Sequence, residues 1–153
     1  MMKNILLLLV FVLAGCTSTT LPPTTATYPL TDSMKIIEAA ANAAPRSVIG
    51  EYTLRIVAAG SQGYFVYLNT EADYRDQRAV TVALPSRVIE QLTAYYKMPP
   101  QEFFIGKKIV VTGKAKRVKI AFLSQGKRTD KYYYQTHIRV MDIAQLKVVD
   151  ENA

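Results

Sequence analysis

The feature that most constrains the fold is an alternation of apolar and polar side chains with a period of two. It is clearest in the segment 107–116, where one side carries Ile109, Val111, Gly113 and Ala115. The other side of the same segment carries Val110, Thr112, Lys114 and Lys116. Successive side chains of a β-strand point to opposite faces, so this segment predicts a strand with one buried face.

Four further segments predict strands, and one segment between them predicts a helix. The strands are expected at 52–58, 64–68, 80–84 and 132–140. In the last of these, Tyr132, Tyr134, Ile138 and Val140 share the inward face, and Tyr133 points outward. The helix begins near Pro85 or Ser86 and ends before Pro99, with Val88, Ile89 and Leu92 on one face. A bulge is expected near Gly113 or Arg117, because the alternation breaks there.

This order of three strands, a helix and two strands resembles the OB-fold, a small β-barrel. The resemblance is strongest in the segment 104–114, which contains Gly106-Lys107-Lys108, and in 136–140, which is followed by Gln145-Leu146. It covers roughly 47–149 and implies an all-β domain with one or two short helices, built as a five-stranded barrel (β-β-β-α-β-β). It implies no particular ligand, because OB-folds bind nucleic acids, oligosaccharides and proteins alike.

The amino terminus has the three parts of a secretory signal peptide. Lys3 supplies positive charge, Ile5 to Leu13 form an unbroken apolar run, and Ala14 and Gly15 are small. The run is shorter than the roughly 18 apolar residues that a membrane-spanning helix needs. Residues 1–15 are therefore predicted to be a signal peptide.

The end of this signal, Leu13-Ala14-Gly15-Cys16, resembles the bacterial lipobox. The resemblance implies cleavage before Cys16, the one cysteine of the chain, and attachment of acyl chains to its thiol. Thr17 follows at the position where lipoproteins retained at the inner membrane often carry Asp. By that resemblance, we expect a lipid-anchored protein of the cell envelope. In a cell with two membranes, it is expected at the outer membrane, facing the periplasm.

The composition changes twice after the predicted anchor. Residues 16–30 contain the lipidated Cys and a Thr/Pro-rich stretch, which predicts an extended tether. Residues 31–45 predict a short helix with Ile36, Ile37 and Ala40 on one face, and the alternative is that this Ala-rich stretch extends the tether. Residues 46–150 are expected to form the OB-fold domain.

Few residues are available for catalysis or for binding a metal. One Cys and one His exclude cysteine-rich zinc sites and multi-histidine clusters. The acidic loop with Asn69, Glu71, Asp73 and Asp76 lacks the spacing of a calcium loop. We expect it to be salt-bridged by nearby arginines and packed against the barrel through Tyr74. His137 is interpreted as an exposed strand histidine. We expect no enzyme activity, no metal site and no cofactor.

The basic residues suggest a binding surface. The chain has a formal net charge of +7, and within 107–131 only Asp130 opposes the cations. The candidate ligand-binding residues are Lys127, Arg128 and Lys131, supported by Tyr67 and Tyr133 on neighbouring strands. A solvated basic face is the other interpretation.

Together, these observations predict a non-enzymatic envelope lipoprotein that binds an envelope protein or an anionic envelope polymer. The alternative function is a single-stranded nucleic-acid binder in an apparatus for DNA uptake or conjugation. That alternative draws on the fold and the charge, but the expected location outside the cytoplasm makes nucleic acid a less suitable partner.

We predict that Cys16→Ser releases the protein from membranes or leaves its precursor uncut, because the thiol is the expected acylation site. Membrane fractionation and the mass of the recovered chain check this. Unchanged membrane recovery together with unchanged mature mass would contradict lipidation at Cys16.

Overall fold

The computed structural model describes residues 32–149. The predicted signal peptide, Cys16 and the tether lie outside these residues. Helices occupy α1 (Ser33–Ala43), α2 (Ser86–Tyr96) and α3 (Pro100–Phe103). The strands are β1 (Val48–Arg55), β2 (Ala58–Gln62), β3 (Phe65–Asn69), β4 (Val80–Pro85), β5 (Lys108–Ser124), β6 (Lys127–Arg139) and β7 (Leu146–Val148).

The strands form one mixed sheet in the order β1-β5-β6-β4-β3-β2, and β7 pairs with β5. Every ladder is antiparallel except the one between β4 and β6, which is parallel. The helices α2 and α3 lie in the connection between β4 and β5, which are separated in the sheet by β6. A mostly β domain with a few short helices, as the sequence predicts, is confirmed.

The sheet differs from the predicted five-stranded barrel in the number of strands and in its hydrogen-bonded order. The segment predicted as one strand at 52–58 is divided at Ile56 and Val57. The Ile56 amide donates to the Lys107 carbonyl over 2.9 Å, whereas the Val57 amide donates to the Asn69 carbonyl over 2.8 Å. The chain therefore changes pairing partner between adjacent residues. Within 32–149 no ladder joins β1 to β2, so the sheet is open between its terminal strands.

The predicted register of the two longest strands is confirmed. Ile109 and Val111 of β5 and Ile138 and Val140 of β6 have no exposed surface. They belong to a core that also contains the rings of Tyr52 and Phe104. Tyr52 is buried without losing a hydrogen bond, because its hydroxyl donates to the Val48 carbonyl over 2.7 Å.

The predicted amino-terminal helix is present and packs onto the sheet. Asp32 caps it by accepting a 2.9 Å hydrogen bond from the Met34 amide. Ile36 and Ala40 are fully buried, which attaches α1 to the core. The helix is shorter than the predicted range of 31–45, since it begins at Ser33 and ends at Ala43. None of the helices in the described part of the chain has the length and apolar character to span a membrane.

The strands β5 and β6 extend well beyond the strands on either side of them. The ladder with β1 stops where Val48 faces Ala115, and the ladder with β4 begins where Val80 faces Thr136. Residues 116–135 thus form a two-stranded ribbon, here called the arm. The one irregularity in the ladder between β5 and β6 lies between Ala121 and Leu123, so the bulge predicted near Gly113 or Arg117 is wrong in position.

We predict that Val111→Asp unfolds the domain, because Val111 is fully buried. An unpaired buried carboxylate costs several kcal/mol, against a total stability of about 5 to 15 kcal/mol for a domain. Thermal unfolding followed by circular dichroism checks this, with Lys114→Asp, at an exposed position of the same strand, as the control. Equal melting temperatures for the two variants would contradict the register.

Candidate functional site

A groove runs over the outer face of β3, β4 and β6, on the opposite side of the sheet from the core. Its volume is about 460 Å³. We call it the outer groove. Its lining comes from three strands of the sheet floor, from β2 and from two flanking segments, and consists of Gly60, Ser61, Gln62, Tyr67, Asn69, Tyr74, Thr81, Ile120, Tyr133, Gln135 and His137.

The register of the strands explains why these side chains meet. Asn69 faces Thr81 across the ladder between β3 and β4, and Thr81 faces His137 across the parallel ladder between β4 and β6. Directly opposed residues point to the same face of a sheet. The inward positions of β3 and β4, such as Val66, Leu68 and Val82, fill the core, so their neighbours are left to line the groove.

Tyr67, Tyr133 and His137 contribute rings to the floor, and two further rings adjoin them. The Tyr67 and His137 ring centroids are 6.0 Å apart at an interplanar angle of 57°. Phe65 continues the row, with its centroid 5.9 Å from that of Tyr67 in a stacked arrangement. At the other end, the rings of Phe122 and Tyr133 are 5.1 Å apart. These flat, half-buried faces are suited to stacking against rings or extended apolar groups of a ligand.

Gln135 forms hydrogen bonds with two other residues that line the groove. Its Nε2 donates to the Tyr74 carbonyl over 2.6 Å, and its Oε1 lies 2.7 Å from Nε2 of His137. Because the amide nitrogen donates to the Tyr74 carbonyl, the amide oxygen faces the imidazole and accepts a hydrogen bond from its Nε2. Burial lowers the pKa of His137 below its ordinary value of 6.5, so the ring is neutral at pH 7. The proton then sits on Nε2, and Nδ1 remains an acceptor.

The floor carries no formal charge at neutral pH. Its polar groups are amides, hydroxyls and the neutral imidazole of His137, and Thr81 donates a 2.8 Å hydrogen bond to the Asn69 side chain at its buried end. Cations stand beside the floor. Lys116 faces His137 across the ladder and is exposed, and the guanidinium of Arg139 lies 5.2 Å from the Phe65 ring centroid.

The acidic side chains of the loop between β3 and β4 form ion pairs with arginines of the same loop. Arg75 donates two hydrogen bonds of 3.0 Å to the carboxylate of Asp73, and Arg78 forms the same kind of pair with Asp76. The bond from Arg78 holds the pKa of Asp76 at about 2. Within residues 32–149 no cluster of three metal-binding side chains occurs. The contribution of this loop to the groove is Tyr74, which lines one side.

The five sequence-predicted ligand residues separate into two places. Tyr67 and Tyr133 both line the outer groove. Lys127, Arg128 and Lys131 are exposed at the end of the arm and do not line it. The two strands are joined by a tight turn at Gln125 and Gly126, whose φ angles are 51° and 76°. This turn brings Lys127 and Arg128 to the end of the arm, here called the tip.

Two tyrosines that were predicted to face the core are exposed instead. Tyr132 and Tyr134 lie on the inward side of β6, as the alternation requires, but at positions beyond the end of the core. They are 48% and 40% exposed. Cations cover them: the Lys119 ammonium lies 3.9 Å from the Tyr132 centroid, and the Arg117 guanidinium lies 3.7 Å from the Tyr134 centroid.

The sequence predicts that the acidic loop packs against the barrel through Tyr74, but it assigns neither Gln135 nor His137 to a site. Gln135 and Tyr74 meet through a contact that spans 61 residues, and no local pattern indicates it. His137 was interpreted as exposed, whereas it is half-buried between Tyr67 and Gln135. The signal that was available is the alternation of β6, which puts Tyr133, Gln135 and His137 on one face.

Comparisons with known proteins give only distant structural likenesses. No family model and no curated protein sequence matches the chain. A solved protein from Leishmania major Friedlin, described as an aspartyl-tRNA synthetase, has a TM-score of 0.42 and 12% identity, over 92% of this chain and 24% of that one. The aspartyl tRNA synthetase of Entamoeba histolytica has a TM-score of 0.46 and 15% identity, over 98% of this chain and 28% of its own. The chain thus spans about a quarter of each.

We predict that His137 titrates below pH 6.5, because its burial disfavours the imidazolium. The unfolded chain takes up this proton at higher pH than the folded one. Stability from this group is therefore present above pH 6.5 and falls as the pH drops through that value, by at most about 1.4 kcal/mol per pH unit.

The chain has one histidine, so a single imidazole signal in an NMR titration measures the midpoint directly. His137→Gln should remove this part of the pH dependence of unfolding. A midpoint at or above 6.5 in the folded protein would contradict the burial of the ring.

Proposed function

We propose that this protein is a non-enzymatic cell-envelope lipoprotein whose β domain binds an envelope protein or an anionic envelope polymer. The observation that carries the proposal is the outer groove, which combines half-buried aromatic faces with uncharged hydrogen-bonding groups. Such a lining binds and orients a ligand. It offers no paired carboxylates, and its one imidazole is hydrogen-bonded to an amide rather than to a nucleophile.

We propose further that the domain is an OB-type barrel in which β1 and β2 are two halves of one bent strand. The hydrogen bonds that change partner between Ile56 and Val57 support this, because consecutive residues then belong to opposite ends of the sheet. The parallel ladder between β4 and β6 and the helix between β4 and β5 agree with that topology. In OB-folds, ligands bind on the corresponding outer face and on its two flanking loops.

The charge around the groove favours an anionic ligand. Lys116 and Arg139 stand beside the floor, and Lys127, Arg128 and Lys131 are exposed on the arm. The exposed positions mean that these cations keep their hydration and act by attraction and by contact at the rim. In this proposal the rings of Tyr67 and Tyr133 contact the body of the ligand, and the cations contact its acidic groups.

The envelope location is the part of the proposal that depends on residues outside the described range. It is supported by the apolar run 5–13 and by Leu13-Ala14-Gly15-Cys16. A tether over 16–30 lets the domain reach a partner at a distance from the bilayer. An anchored binding domain needs such reach, because its ligand is fixed in the envelope rather than delivered by diffusion.

A single-stranded nucleic acid is the second candidate ligand. The observation in its favour is the row of rings from Phe65 through Tyr67 to His137, since bases stack on aromatic side chains of this kind. For a lipoprotein this ligand applies only in an apparatus for DNA uptake or conjugation.

A binding assay on the purified full chain distinguishes these ligands. The labelled ligands are an oligouronate, which carries one carboxylate per sugar, and an oligothymidylate of equal length and charge. We expect tighter binding of the oligouronate, and we expect Tyr67→Ala to weaken it at least about tenfold, the scale of one lost stacking contact. The matched control is Tyr64→Ala, which removes an exposed ring outside the groove lining.

Charge reversal at Lys127, Arg128 and Lys131 tests the rim in the same assay. The loss of affinity should shrink as the salt concentration rises past about 0.15 M, where the Debye length is near 8 Å. Tighter binding of the oligothymidylate would favour the second candidate. If neither ligand binds and affinity capture from envelope extracts yields no protein that depends on Tyr67, the groove is not a recognition site.

A further inference from the structure

The end of the arm carries two exposed apolar side chains, and the proposed function gives no role to one of them, Leu123. Phe122 is 45% exposed and Leu123 is 63% exposed. A ligand in the outer groove meets Ile120 and Tyr133, which line it, but Leu123 lies outside that lining. The two side chains lie on opposite faces of the ribbon, because the Phe122 ring contacts Tyr133 whereas Leu123 lies beside Tyr132 and Arg128. Each face of the arm therefore carries one exposed apolar side chain near the turn.

Several cations lie near the same end of the arm. Lys127 and Arg128 follow the turn directly, Lys131 lies further along β6, and Lys119 lies on the opposite strand over the ring of Tyr132. Between residues 116 and 131 the only acidic side chain is Asp130. The end of the arm therefore combines exposed apolar side chains, several cations and exposed tyrosines.

The geometry of the arm presents this combination away from the core. In the described part of the chain, β5 beyond Ala115 and β6 before Thr136 pair only with each other. The turn at Gln125 and Gly126 is tight, so apolar and cationic residues stay close together at the same end. Leu123 faces Arg128 across the ladder, which puts both side chains on one face of the ribbon.

We infer that the tip of the arm contacts the surface of an anionic lipid bilayer. Each Lys or Arg near such a surface is attracted to its negative charge, and apolar side chains gain further by entering the boundary between headgroups and acyl chains. Tyrosines are favoured at the same depth. A water-soluble polyanion satisfies the cations but gives no environment for Phe122 and Leu123, which is why the lipid surface explains more of the tip.

This inference goes beyond the proposed function, because the groove remains the site for the partner. The apolar tip side chain Leu123 and the groove side chain Tyr133 belong to different positions of the ribbon. Lipid contact at the tip would hold the domain against a membrane and fix which way the groove faces. Failure of the lipid contact leaves the groove proposal standing, and the reverse also holds.

The absence of tryptophan from the sequence makes a direct test simple. Leu123→Trp introduces one indole at an exposed position of the tip. The purified full chain is added to, or reconstituted in, vesicles of phosphatidylglycerol with brominated acyl chains, which quench an indole at the depth of the bromine. We expect the emission to fall at least about twofold relative to unbrominated vesicles, as for an interfacial side chain. Brominated phosphatidylcholine vesicles should give little quenching, since they lack net charge.

The matched control is Tyr95→Trp, at a 70% exposed position of α2. It should not be quenched in either lipid. Adding Lys127→Glu, Arg128→Glu and Lys131→Glu to Leu123→Trp should abolish the quenching by phosphatidylglycerol. Phe122→Trp serves as a second reporter if Leu123→Trp lowers the melting temperature.

Each other outcome overturns the inference. Equal quenching of the tip and control indoles would mean that the tip has no special contact with lipid. Equal quenching in the two lipids would remove the role of the cations. If oligouronate binding requires the three cations while the tip indole is never quenched, the cations contact a soluble polymer and not a bilayer.

Discussion

The structure depends on β5, a single strand that hydrogen-bonds to three others. Over residues 109–111 it pairs with β1 on one side and β7 on the other, and from Ala115 onward it pairs with β6. A shift of one residue in any of these ladders would turn Ile109 and Val111 out of the core. Gly113 lies between the two pairing regions, and a Cβ there would come within 3.0 Å of Ile138. Its lack of a side chain allows the two strands to approach.

The sequence could predict the part of the fold that follows from the two-residue alternation of apolar and polar side chains in a β-strand. Alternation of apolar residues in β5 and β6 gives the correct buried faces of Ile109, Val111, Ile138 and Val140, because those positions face a filled core. The same rule gives the wrong burial for Tyr132 and Tyr134. Alternation states which face a side chain occupies, but it does not state where the core ends. The division of the first strand at Ile56 was also not predictable, since both halves continue the same apolar pattern.

The candidate site shows the same limit. Tyr67 and Tyr133 were predicted to act together, and they do line one groove, because strand register alone puts them on the outer face. Tyr74 was predicted only to pack its loop against the barrel, and its contact with Gln135 could not be found in this way. Their contact depends on how the loop between β3 and β4 folds over the sheet, and that loop is shaped by the pairs of Asp73 with Arg75 and Asp76 with Arg78. The sequence suggested these ion pairs but not their consequence for the groove.

In the arm, the alternation of side chains produces two faces with different contacts. Because neighbouring residues of β6 point to opposite faces, Tyr133, Gln135 and His137 contribute to the groove while Tyr132 and Tyr134 carry cations on the other face. One ribbon thus presents two chemically different surfaces. A side chain at the tip experiences neither the packing of the core nor the hydrogen bonds of the groove. The effect of substitutions that change the charge or apolar character of a tip side chain would therefore report on what the tip contacts, independently of folding and of the groove.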